Sequence, residues 1–154
     1  MSKKLISAII KVGALCIIVF SVSAVFIYNV QLIGWVIFAL GLLCIVSLFL
    51  FNILIKNVWP DIIFGLIDNG VLAILAVIGG KIAGVAGAIA GGVMGNAITD
   101  GIAGVFEGYM AERLRESKIS ESRTMFGSSI GKMAGCLLVA GFVLIIANFF
   151  DPRL

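Results

Sequence analysis

Histidine is absent from this 154-residue chain, which removes the imidazole general base, every serine–histidine or cysteine–histidine couple and the commonest zinc ligand. Charge is scarce as well. Asp, Glu, Lys and Arg together make up 12% of residues, where a soluble domain carries about a quarter. The net charge of +3 is too small to point to nucleic acid as a partner. Cys16, Cys44 and Cys136 stand alone in apolar runs, with no pair at metal-ligand spacing, so they read as packing residues. No nucleophile–base constellation is visible, and the chain reads as a non-enzyme.

Hydrophobic residues make up 62% of the chain, and the mean hydropathy is +1.23. These values imply a multi-pass integral membrane protein, all-α and folded as a single domain over residues 1–154. A membrane-spanning helix needs about 20 apolar residues. Five segments meet that requirement: 5–27, 32–55, 62–78, 82–109 and 126–150. The N-terminal run begins like a secretory leader but is longer than a leader's apolar region, so it reads as a retained helix. Trp59 and Pro60 suit a membrane interface and the first turn of a new helix. The charged segment 111–123 reads as a cytoplasmic extension of the fourth span.

Five spans with the N-terminus in the cytoplasm place Lys3, Lys4, Lys56, Arg113, Arg115, Lys118 and Arg123 inside. Lys11 and Lys132 can snorkel to the same side, while Lys81 and Arg153 fall outside. This asymmetry follows the positive-inside rule.

The segment from Gly79 to Met110 holds ten of the nineteen glycines, yet it also carries Asn96, Asp100 and Glu107. On an α-helix these three polar residues fall within about 40° of one another. Gly80, Gly84, Gly87, Gly91 and Gly95 fall within about 80° on the opposite side. That ridge, like Gly127, Gly131 and Gly135 in the last span, is a small-xxx-small pattern that lets helix backbones approach closely.

A carboxylate at membrane depth must be protonated, paired or hydrated. Lys81 is about five turns from Asp100 and cannot pair with it within one helix. Asp68 lies in the preceding span. If spans three and four are antiparallel neighbours, Asp68 and Asp100 share a depth. With Asn96 and Glu107 they would supply the oxygen ligands that hard cations prefer. Met94 and Met110 would add softer ligands, and Lys132 is a plausible counter-ion. The alternative is structural acids, protonated or bonded to backbone.

Asp68-Asn69-Gly70 and the run from Thr99 to Tyr109 resemble two motifs of the vacuolar iron transporter family. In that family an Asp-Gly motif opens an early span. A glycine-rich hairpin and a second acidic motif follow, leading into a charged cytoplasmic helix. The similarity covers about residues 62–122. Gly104 stands where the family has a methionine, and Glu107-Gly108-Tyr109 where it has Gly-Glu-Tyr. The resemblance implies a divalent metal as transported substrate, with no resident cofactor, and metal-binding roles for Asp68 and Asp100. Two functions are therefore expected from the sequence. One is cation binding or transport, in a homo-oligomer within the lipid bilayer. The other is a non-catalytic accessory subunit that docks on a membrane-complex partner through its glycine faces.

Overall fold

The computed structural model describes residues 3–116 and 124–151 of the chain. Four α-helices account for its order: α1 (Lys3–Phe26), α2 (Val30–Leu50), α3 (Ile55–Glu116) and α4 (Met125–Phe150). All four are long and apolar enough to cross a membrane. No strand occurs among the described residues.

The helix ends have local causes. Asn29 caps α2, its Oδ1 accepting from the Leu32 amide at 3.2 Å. Thr124 caps α4, its Oγ1 accepting from the Gly127 amide at 3.0 Å. Both caps satisfy backbone donors that the first helical turn leaves open. Asn52 adopts φ 56°, a left-handed conformation that asparagine tolerates, and it separates α2 from α3. Helix therefore resumes at Ile55, and the Lys56–Asp61 stretch that reads as a boundary in the sequence is helical, with Pro60 inside it.

Helix α3 does not run straight. At Ala83 (φ −138°, ψ 26°) and Gly84 (φ 57°, ψ −139°) the backbone leaves helical geometry. The conformation at Gly84 is one that only glycine adopts readily. The contacts on either side of this break descend in antiparallel order. A Cβ at Gly87 would collide with the Gly79 carbonyl oxygen, and one at Gly91 with that of Leu75. One at Gly95 would come within 2.6 Å of the Leu72 Cα. The two arms, residues 55–82 and 85–116, therefore form a hairpin whose backbones touch. Only glycine permits such an approach.

Helix α4 is the hub. Helix α2 packs against it antiparallel: a Cβ at Gly34 would meet Ile145, one at Gly41 Leu138 and one at Gly141 Phe38. The first arm of α3 packs against it in parallel, with Gly65 against Cys136, Gly135 against Ile62 and Gly70 against Val139. The buried core lies where three helix ends meet and comprises Cys44, Leu48, Val58, Phe126, Ile130 and Ala134. Helix α1 sits to one side, tied at that same end. The Lys11 Nζ lies 4.6 Å from the Phe51 ring centroid and 5.4 Å from that of Phe126. The two rings meet edge-on at 4.8 Å, a geometry that favours a cation over their faces.

Outside this core the surface is apolar. Phe20, Ile82, Val85 and Phe149 are each more than three-quarters exposed.

Candidate functional site

The hairpin brings Thr99, on the second arm, against Asp68 on the first. Thr99 is fully buried, and its Oγ1 lies 3.2 Å from Asp68 Oδ1. The same hydroxyl lies 2.9 Å from the Gly95 carbonyl and 3.1 Å from that of Asn96. A hydroxyl has one hydrogen to donate. Thr99 can therefore hold the carboxylate or bond back to its own helix, and this gives the pair two hydrogen-bonding arrangements in one geometry. The other Asp68 oxygen accepts from Asn69 Nδ2 at 3.3 Å. That amide also reaches Cys136 Sγ on α4 at 2.6 Å. Asp68 is partly buried and sits thirteen residues after Ile55, about 20 Å of helical rise into the bundle.

Asp100 lies one residue further along the second arm and therefore about 100° around it. Its carboxylate accepts from Asn96 Nδ2 at 2.9 Å, and both residues are exposed. Asp68 and Asp100 thus share a level, as an antiparallel hairpin requires, but their side chains take different partners on different faces. Met94 is also exposed. Glu107 continues the second arm as helix, while its side chain and that of Met110 lie outside the described residues, as do residues 117–123. Among the described residues, no group of three or more His, Cys, Asp or Glu side chains is arranged to hold a metal ion.

The glycine ridge divides in the same way. Gly87, Gly91 and Gly95 face the first arm. A Cβ at Gly80 would meet only the Ala88 Cβ, at 3.5 Å, and Gly84 lies in the turn with open space around it. Gly127, Gly131 and Gly135 all face the first arm from α4, with Val58, Asp61 and Leu66 as neighbours. Three participants, Thr99, Gly34 and Gly41, are not singled out by the sequence. Thr99 extends the series 87, 91, 95 by one more step of four, so the ridge itself predicts that Thr99 faces inward. Gly34 and Gly41, two turns apart, form the ridge of α2 against α4.

Asp61 is the most buried charged side chain among the described residues, at 1% exposure. Ser128 on α4 donates to its Oδ1 at 2.6 Å. Lys132, one turn further along α4, places its Nζ 4.0 Å from the Phe64 ring centroid. At the opposite end of the bundle Lys81 pairs with Asp151 at 3.5 Å.

No family model, no curated protein and no solved structure matches this chain.

Proposed function

We propose that the chain is a multi-pass membrane protein with five crossings and a cytoplasmic N-terminus, and that it binds or moves a cation at Asp68. The parallel packing of the first α3 arm on α4 supports five crossings. Two helices that run the same way through a bilayer need a return crossing between them, and the second arm, 32 residues from 85 to 116, is long enough to be one. The exposed apolar surface supports lipid as its surroundings, because monomers in water rarely expose contiguous apolar patches beyond a few hundred Å². Lys3, Lys11, Lys56 and Arg113 fall at the Ile55 end of the hairpin and Lys81 at the turn. This distribution supports a cytoplasmic N-terminus.

The single observation that carries the cation reading is the Asp68–Thr99 contact across the hairpin. A carboxylate halfway along an apolar helix costs a few kcal/mol or more. Here it is held by a hydroxyl with an alternative acceptor, which suits a site that fills and empties. A divalent metal as the transported species rests on the resemblance to vacuolar iron transporters alone. The test is flux into liposomes holding the purified chain, screened with protons, K⁺, Mg²⁺, Mn²⁺ and Fe²⁺. One of these enters, and Asp68→Asn abolishes its entry. Equal entry into wild-type and Asp68→Asn vesicles rejects the site.

The second reading, a non-catalytic accessory subunit, is favoured by the outer face of the second arm. There Asn96 and Asp100 are exposed beside Gly101, Gly104 and Gly108, whose Cβ positions meet nothing within 4 Å. A membrane partner or a second copy of the chain would cover that face. Co-purification of a stoichiometric partner in mild detergent, with no cation entry by the chain alone, supports the subunit.

A further inference from the structure

A row of polar side chains runs along the interface between the first arm of α3 and α4. It starts near the charged end with Asp61 and Ser128, joined at 2.6 Å. Lys132 follows, on the turn of α4 that packs on Gly65, with its Nζ 4.0 Å from the Phe64 ring centroid. The row ends at Asp68, beside the Asn69–Cys136 contact and bonded to Thr99 at 3.2 Å. Ser128, Lys132 and Cys136 recur every four residues and share one face of α4. Asp61 and Asp68 are seven residues apart on one face of the arm, about 10 Å of helical rise. The titratable groups along the row are Asp61 and Asp68 on α3 and Lys132 and Cys136 on α4.

The composition of this row discriminates between cations. An ammonium group between two carboxylates disfavours a divalent ion by charge, and no three-ligand cluster stands along it among the described residues. Carboxyl and hydroxyl groups, by contrast, all exchange protons. An acid with 1% exposure on an apolar helix is not there for solvation.

We propose that the α3–α4 interface is a proton path in which Asp61 is a second station, on the charged-end side of Asp68. This rests on the reading of Asp68 as the cation-holding carboxylate, and it names the cation. The two acids are about 10 Å apart, so the proton passes between them in several hops over hydroxyl groups and water, and each hop breaks one O–H bond at the donor oxygen and forms one at the acceptor. Lys132 is a positioning residue. Its charge, set between the two acids in register, compensates whichever of them is ionised.

The test uses the full chain in liposomes with a trapped pH-sensitive dye and a potassium–valinomycin potential. Wild-type vesicles acidify, and Asp61→Asn and Asp68→Asn each slow acidification by about a hundredfold. Lys132→Gln slows it less. Infrared difference spectra across a pH step show a carboxyl band that Asp61→Asn removes and Ser128→Ala shifts. The Ser128→Ala band shift keeps the test open should Asp61→Asn fail to fold. Full acidification by Asp61→Asn with an unchanged infrared band overturns Asp61 as a station. Entry of a divalent metal without acidification overturns the proton and leaves the Asp68 site standing. Entry of no cation at all removes the underlying reading with it.

Discussion

The two sides of the second α3 arm both carry glycine at four-residue spacing and face opposite circumstances. The inner side carries Gly87, Gly91, Gly95 and Thr99, and each of the four touches the first arm. The outer side carries Asn96 and Asp100, exposed and bonded to each other, and Gly104 and Gly108, exposed with nothing within 4 Å of their Cβ positions. Glycine at four-residue spacing therefore has no fixed meaning here. On one side it brings two backbones together, and on the other it leaves a smooth strip. The same holds for the acids, because Asp68 is bonded across the hairpin and Asp100 only along its own helix.

Substitutions that add the same atoms to both sides would break this comparison most sharply. Gly91→Ala drives a methyl group into the Leu75 carbonyl and is expected to destabilise the hairpin by about 3 kcal/mol. Gly104→Ala, with nothing within 4 Å, should change stability by less than about 0.5 kcal/mol. Thermal unfolding in one detergent measures both, and equal losses would show that Gly91 does not sit at a contact. A smaller effect is expected at Thr99. Thr99→Val removes the hydroxyl while keeping the shape, and should cost about 1 kcal/mol, whereas Thr99→Ser restores most of it. If valine is neutral in the same assay, the Asp68 contact contributes nothing to the fold. On the outer side, Asp100→Leu should leave the monomer's unfolding free energy within about 0.5 kcal/mol of wild type. A large loss there would reveal a contact that the chain alone does not make. An equally small effect is expected for Lys81→Gln. Its ion pair with Asp151 is 40% and 43% exposed and is expected to contribute less than about 0.5 kcal/mol, falling with added salt.

Much of this fold is legible in the sequence because its signals are local. Apolar length marks the helices, and the glycine series 87, 91, 95 marks the contact face. The position of the reversal is less legible. The sequence offers glycines at 79, 80, 84 and 87, and Gly79-Gly80-Lys81 reads as the break. Long-range register decides otherwise. Once Gly79 packs on Gly87, the turn must fall midway, at Ala83–Gly84. The start of α3 is missed for a similar reason: Lys56 and Asp61 look like an interface, whereas the left-handed Asn52 has already turned the chain. Helical phase groups Asn96 with Asp100, and the structure pairs them. The partner of Asp68 is not legible from polarity, because Thr99 is identified only by its place in the glycine series. The Asp61–Ser128 pair joins residues 67 positions apart, and no periodicity within one helix can reveal it.

The reversal at Ala83–Gly84 also bears on biogenesis. With five crossings, the two arms enter the bilayer joined by a turn of two non-helical residues. Neither can settle alone, since the backbone of each forms the other's packing surface. Insertion as one unit would carry Lys81 across before Asp151 has been synthesised. The last helix would then pack on Gly65, and the Asp151 side chain at its end would meet the Lys81 ammonium group. Helix α2, made earlier, would wait for that same helix, because its ridge of Gly34 and Gly41 packs on α4.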